Sequence, residues 1–269
     1  MGKRRPRFLT VAVAFATISV LTSAPSRAQE SHIGNLTGRS ARGKTLYLRY
    51  CIGCHGANGD GAGENAPHLN PQFPQPRDFT AGLFKCRSTP SGSIPLDSDL
   101  FDTVGRGLNT TAMPPWFPLT RQERADLVAY VKTFSSRFIE EKAELPVSIT
   151  PETPSTTESI GRGKELFQTL KCVECHGADG RGKGPSASTL RDNKGNPIAP
   201  YDFTTGSRFK CGKTDQDLAR IFVTGLDGTP MPTYADYLQS DQTWDLVHYL
   251  RTLQKNLNHK GLWARLFSD

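Results

Sequence analysis

"YCIGCHGANGDG" (50–61) and "KCVECHGADGRG" (171–182) are two versions of one local wording. Each carries C-x-x-C-H, as Cys51, Cys54 and His55 in the first and Cys172, Cys175 and His176 in the second. At this spacing the two thiols reach the two vinyl-derived carbons of a haem, and the adjacent histidine is held beneath the porphyrin with its imidazole on the iron. Accidental spacing twice, at equivalent places in a repeat, is rare. A zinc site would need a second Cys/His pair at ligand spacing in each copy, and neither copy offers one. The sequence therefore predicts two covalently bound haem c groups, each with its iron.

Working outward, the repetition extends over most of the chain. "ARGKTLYLRYCIGCHGANGDGAG" (41–63) is echoed by "GRGKELFQTLKCVECHGADGRGKG" (161–184), and "RDFTAGLFKC" (77–86) by "YDFTTGSRFKC" (201–211). "GLNTTAMPPW" (107–116) is echoed by "GLDGTPMPTY" (225–234), and "LTRQERADLVAYVKTF" (119–134) aligns without a gap on "LQSDQTWDLVHYLRTL" (238–253). A duplicated unit of roughly 100 to 115 residues is a normal domain size. Between the copies "LPVSITPETPSTTES" (145–159) is rich in Pro, Ser and Thr, lacks apolar periodicity and reads as an extended linker.

Each copy reads as helical. "TLYLRY" and "KELFQTL" are short amphipathic stretches entering the C-x-x-C-H site, and "SDLFDTVGRG" and "QDLARIFVTG" read as a middle helix ended by a C′ glycine. Leu127, Val128, Val131 and Phe134 share helical spacing with Leu246, Val247, Leu250 and Leu253, an apolar stripe on a closing helix. Tyr130 and Tyr249 match on that helix and read as packing residues. The connections, such as "NPQFPQPRDFT", are too rich in Gly, Pro and Asn to form a core unaided. A covalently held macrocycle supplies that apolar centre.

After the initiator, the chain's only methionines are Met113 and Met231. Each lies 14 residues beyond an Asp-Leu pair, Asp99-Leu100 or Asp217-Leu218, and each precedes a proline. Methionine used as gap-filler scatters among helices. Here it occurs once per copy, in a loop that can present its thioether to iron opposite His55 or His176. His/Met axial pairs raise the reduction potential, and two filled axial positions favour electron transfer over catalysis.

At these residues the chain resembles the class I c-type cytochromes, and its arrangement looks like the tandem di-haem cytochromes of the cytochrome c4 type. The resemblance covers roughly residues 38 to 138 and 159 to 256. It implies an all-α fold, with two tandem haem domains related by an approximate two-fold, relaying single electrons in the periplasm of a respiratory bacterium. The family's functional positions carry over to Cys51, Cys54, His55 and Met113, and to Cys172, Cys175, His176 and Met231. Three departures stand out. The haem-attachment helices differ by one residue in length, the first copy has seven more residues between Cys86 and Asp99 than the second has between Cys211 and Asp217, and the family pattern requires no cysteine at 86 or 211.

The N-terminus has a basic start (Lys3, Arg4, Arg5, Arg7), an apolar run from Phe8 to Leu21 and a small-residue pattern at Ser26 and Ala28. That is the layout of a secretory signal, with cleavage after Ala28. The alternative is an uncleaved anchor, against which an apolar run of about 14 residues is short of the roughly 20 that span a bilayer. Expected domains are the signal at 1–28, a first haem domain at 29–144, the linker at 145–158, a second haem domain at 159–258 and a tail at 259–269. Residues 1–28 hold five of the 33 basic residues and no acid, so residues 29–269 carry 28 Lys and Arg against 26 acids. Nothing in that balance argues for nucleic acid as a partner.

Cys86 and Cys211 remain, an even number in an oxidising compartment at matching places of two copies. A disulfide stapling the lobes is the leading reading, if the two points approach near the two-fold axis. Buried free thiols beside each haem, and thiolate ligation or redox chemistry, stay open as alternatives. Among the histidines, His68 and His248 read as groups at the surface or packed behind a ligand, and His32 and His259 as solvated. The tail "GLWARLFSD" puts Leu262, Trp263, Leu266 and Phe267 on one helical face, read as packing back onto a lobe, with partner docking as the alternative.

Two classes of function are compatible with these residues. One is a carrier or complex subunit that takes electrons from a quinol-oxidising complex or dehydrogenase and gives them to a terminal oxidase or reductase. The other is an enzyme, a di-haem peroxidase or a sulfur-compound oxidase of the thiosulfate dehydrogenase kind, which a cysteine on iron would support.

Overall fold

A computed structural model of the chain describes residues 30–70, 73–206 and 209–266, with side chains described to residue 254. The leader at 1–28 and the side chains of His259 and of the tail lie outside what is described.

The first lobe opens with a hairpin of β1 (Glu30–Ile33) and β2 (Leu36–Arg39), antiparallel with Ile33 opposite Leu36. Its two-residue turn places Gly34 at φ 59°, the left-handed region that glycine adopts without strain. Then come α1 (Ser40–Tyr50), α2 (Ile52–His55), α3 (Asp97–Arg106), α4 (Arg121–Lys132) and α5 (Arg137–Glu140). The second lobe repeats the plan with α6 (Thr157–Thr169), α7 (Cys172–His176), α8 (Asp215–Thr224) and α9 (Ser240–Leu266). The molecule is thus mostly helical, and the hairpin is an addition to the expected all-α plan. It lies on α4, where the Ser31 hydroxyl donates to the Ala125 carbonyl at 2.7 Å and Asp126 accepts from the Arg39 amide at 2.8 Å.

Opening and closing helices cross at the same point in both lobes. A Cβ on Gly43 would sit 1.9 Å from the Asp126 carbonyl oxygen, and one on Gly163 would sit 2.0 Å from that of Asp245. Only glycine allows this approach. The rings of Tyr130 and Tyr249 close the crossing against Tyr47 and Phe167, at centroid separations of 5.2 and 5.5 Å, so both tyrosines are packing residues. Each crossing carries its own apolar core, with Tyr47, Leu127 and Val128 in the first and Phe167, Leu246 and Val247 in the second.

The departures between copies have structural explanations. In the first lobe the chain passes from α1 to α2 through Cys51 in right-handed helical geometry. In the second the extra residue is absorbed by Lys171, at φ 59° and ψ 25°, a left-handed conformation uncommon outside glycine. The longer first-lobe segment after Cys86 is the part that reaches across to the second lobe. Asp227 accepts from the Ser91 hydroxyl (3.0 Å), the Gly92 amide (2.9 Å) and the Arg87 guanidinium (2.8 Å). Cys86 and Cys211 are joined in a disulfide with their Cα atoms 5.2 Å apart. Free thiols and thiolate ligation at these two positions are thereby overturned.

The linker runs without helix or strand from Glu141 to Thr156 and is tied to both lobes. The Val147 amide donates to the Ser88 carbonyl at 2.8 Å, and the Trp244 indole to the Thr150 hydroxyl at 3.2 Å. At the far end α9 continues without a break to Leu266, through the boundary expected at 258. None of the described helices is long and apolar enough to cross a membrane.

Candidate haem-binding cavities

The first turn after each opening helix sets the site. The carbonyls of Cys54 and His55 accept from the amides of Gly63 (3.2 Å) and Gly61 (3.0 Å), and those of Cys175 and His176 from Gly184 (3.0 Å) and Gly182 (2.8 Å). These bonds wrap the glycine-rich loop beneath the motif. The loop returns through Phe79, whose amide donates to Gly59, and Phe203, whose amide donates to Gly180. Phe79 then stacks on the His55 ring at 4.4 Å, and Phe203 lies on His176 at 4.7 Å.

Each histidine is oriented from behind. His55 Nδ1 lies 3.1 Å from the Arg77 carbonyl, and His176 Nδ1 lies 3.0 Å from the Tyr201 carbonyl. A carbonyl only accepts, so Nδ1 carries the proton and Nε2 keeps its lone pair. Burial holds both imidazoles below their ordinary range, in the neutral form a metal requires.

The methionine loops repeat to the hydrogen bond. In the first, the Leu108 amide donates to the Met113 carbonyl (3.2 Å), while Thr111 Oγ1 accepts from the Met113 amide (3.0 Å) and donates to Leu108 (2.7 Å). In the second, Leu226, Met231 and Thr229 make the same three bonds at 3.1, 3.2 and 2.7 Å. Gly107 and Gly225 launch these loops from α3 and α8 with φ 69° and 65° and extended ψ, rather than as the C′ glycines expected from sequence. The geometry has a purpose: a Cβ on Gly107 would lie 2.7 Å from the Pro114 backbone, and one on Gly225 would lie 2.7 Å from that of Thr233.

These parts enclose one cavity per lobe. Cys51, Cys54, His55 and Met113 line the first, and Cys172, Cys175, His176 and Met231 line the second. The unfilled space, open mouths included, is about 1340 Å³ and 1090 Å³. Apolar side chains dominate the walls, with Phe84, Leu100, Val104 and Val128 in the first and Phe209, Leu218, Phe222 and Leu250 in the second. Burial pushes the Cys51 thiol up to about 12 and the Cys172 thiol up to about 11, so neither is a resting thiolate. Paired thiols, a neutral histidine with its lone pair free, a methionine and an apolar slot fit a covalently attached haem in each lobe.

The remaining histidines lie elsewhere. His68 is exposed on a 3₁₀ turn, and His32 is exposed with Nε2 3.9 Å from Glu30. His248 is not a surface group. It is 3% exposed between α6 and α9, with Nδ1 3.0 Å from the Ser159 hydroxyl, and it lines neither cavity. Ser159 at the start of α6 supplies the polar partner that lets an imidazole sit in this apolar seam. Sequence reading also passed over Lys85 and Lys210, which line the first and second cavities. Their signal was the shared lysine of "FKC". Among the described residues no group of three or more His, Cys, Asp and Glu side chains is placed to hold a metal ion.

Two tandem lobes, each built around a C-x-x-C-H turn and a late methionine loop, define a di-haem c-type protein. The cytochrome c family model matches residues 40–135 and again 160–254, and the chain belongs to that family. Its two domains carry two covalently bound haem c groups with iron, and electron transfer is the chemistry they support. Among solved structures the chain is similar to one from Kuenenia stuttgartiensis, described as the reducing HAO-like protein complex Kustc0457/Kustc0458. The two are 43% identical with a TM-score of 0.76, over 79% of this chain and 95% of that one. No curated protein matches the chain.

Proposed function

We propose that the protein is an exported two-haem electron carrier, or the carrier subunit of a larger redox complex, passing single electrons between protein partners in the periplasm. When bound, each haem supplies a one-electron ferric/ferrous couple. The chain does the rest. Cys51 and Cys54, and Cys172 and Cys175, would hold the macrocycles through thioethers, and His55 and His176, with Nδ1 committed to a carbonyl, would offer Nε2 to the iron. Met113 and Met231, which line the same cavities, would supply the methionine thioether to each iron.

One observation carries the reading: the same methionine loop, closed by the same three hydrogen bonds, opens into both cavities. An enzyme acting on peroxide or a sulfur compound needs one iron with an accessible position, and two matching methionines leave neither lobe specialised for that. The Cys86–Cys211 disulfide removes the cysteines that the sulfur-oxidising alternative required as ligands. The donor on this reading is a quinol-oxidising complex or dehydrogenase, and the acceptor a terminal oxidase or reductase. Likeness to a chain described as part of a reducing HAO-like protein complex supports another redox protein as the physical partner. The basic, apolar N-terminal segment supports export.

The test is optical and kinetic. The oxidised holoprotein is expected to show the weak red band of methionine-to-ferric-iron charge transfer, with no turnover of peroxide or thiosulfate. Absence of that band, or rapid turnover of either compound, would refute the carrier.

A further inference from the structure

We propose that Arg77, Lys85 and Lys210 form one cationic site at the lobe interface that receives the carboxylates of both bound haems and couples the reduction potentials of the two centres. The inference rests on the haem-carrying reading above and concerns what this chain's own residues offer to that group.

Lys85 and Lys210 immediately precede the two halves of the Cys86–Cys211 disulfide, whose Cα atoms are 5.2 Å apart. The disulfide therefore brings a lysine from each lobe to one place. Lys85 is 9% exposed and lines the first cavity beside Arg77, and Lys210 lines the second. Taking an ammonium out of water is costly unless an anion meets it. Among the described residues neither lysine has a carboxylate within ion-pair distance. Of the acids near the cluster, Asp227 is engaged by Arg87, Ser91 and Gly92, Asp78 by Thr80 and Lys194, and Asp192 by the Lys194 amide and Asn196. Asp99, Asp102 and Asp217 share a smaller cavity with Lys85, where Asp99 accepts from the Ser88 and Leu96 amides and Asp217 from the Lys213 and Thr214 amides and Arg220. Burial, with Arg77 adding to it, pushes Lys85 down to about 7 and Lys210 down to about 8. These are cations placed to meet negative charge from a bound group.

Haem brings that charge on a defined edge. Its propionates lie on the half of the rim opposite the thioether-forming carbons. Apart from His55, the charged liners of the first cavity are Arg77 and Lys85. Those of the second among the described residues, apart from His176, are Lys171 and Lys210, and Lys171 adjoins Cys172 at the thioether end. Arg77 belongs to both lobes. Its carbonyl orients His55, while its guanidinium donates to the Asn193 side chain (3.2 Å) and the Asp227 carbonyl (3.4 Å) of the second lobe. The second copy has Tyr201 at this position, so one arginine serves the pair. A cation beside a haem carboxylate favours the ferrous state, and a cation shared by two haems acts on both.

The test is a potentiometric titration of the Lys85→Gln and Lys210→Gln holoproteins. Both midpoint potentials are expected to fall in each single variant, and Lys85→Arg is expected to restore both. Movement of one midpoint only, or of neither, overturns the shared site. So does a signature of iron with two nitrogen ligands that disappears in Lys85→Gln, which would make the lysine an iron ligand. Independently of any variant, redox-difference infrared spectra of the wild-type protein carrying carboxylate-labelled haem should show label-sensitive bands that shift on deuterium exchange. Bands of free carboxylate overturn the proposal. A chain whose mass lacks two covalent haems would instead refute the haem assignment.

Discussion

Met113 and Met231 occupy superimposable settings, so they should answer substitution alike. Replacing either by Ala is expected to remove about half of the red charge-transfer band and lower one midpoint potential, because the thioether stabilises ferrous iron; redox titration with optical detection checks it. A variant that kept the full band would disprove the ligand assignment for its lobe. Acid acts on the ligands across the ring. Burial holds His55 and His176 below their ordinary range, so the folded chain binds fewer protons than the unfolded one once the pH drops beneath the usual histidine value of roughly 6.5. Depressed folded-state values mean stability that is present above that value and lost below it. Guanidinium unfolding midpoints are expected to be lower near pH 5.5 than near pH 7.5, and equal midpoints would contradict the neutral, buried imidazoles.

At the scale of elements, the glycines of the helix crossing matter more than the apolar stripe. A methyl at Gly43 meets the Asp126 carbonyl at 1.9 Å, so Gly43→Ala must force α1 off α4. Overpacking of this kind costs about 1–3 kcal/mol or more, and a clear fall in Tm is expected. Gly161 is the internal control. It lies in α6 with nothing within 4 Å of an added Cβ, and Gly161→Ala is expected to stabilise by about 0.5–1 kcal/mol. Calorimetry of the two variants should give opposite signs. These glycines stood inside the aligned repeat, yet nothing in composition distinguishes one that meets a carbonyl from one that faces solvent. By contrast, the attachment turns, the methionine loops and the closing helices were legible, because each rests on a local pattern repeated twice. The hairpin at 30–39 was not. Its inward-facing positions include Ser31 and Gly38 rather than alternating apolar residues, so it carries no strand period. The left-handed Lys171 was visible only as a one-residue mismatch between copies, whose resolution needed coordinates.

For the whole molecule, the question is whether two lobes behave as one body. The disulfide spans 125 residues, which in the chain-entropy account corresponds to roughly 5 kcal/mol and more commonly to about 2–4 kcal/mol in practice. Beside it the Arg87 side chain is fully buried and pairs with Asp227 at 2.8 Å across the interface. Asp227→Asn would leave that guanidinium without its carboxylate. Breaking a buried pair from one side costs about 3–5 kcal/mol, and here the lower end applies, because the carbonyls of Phe84 and Pro90 continue to accept from Arg87. Cys86→Ala with Cys211→Ala removes the covalent link while keeping the ion pair; Asp227→Asn does the reverse. If the lobes are coupled chiefly through the disulfide, the double alanine variant should unfold in two calorimetric steps and Asp227→Asn in one step at lower temperature. A single step in both would mean that the non-covalent contacts, Arg87 to Asp227 together with Lys194 to Asp78 and Arg77 to Asn193, hold the lobes together without the disulfide. The lobe interface would then be an assembly in its own right, with the cystine as reinforcement rather than hinge.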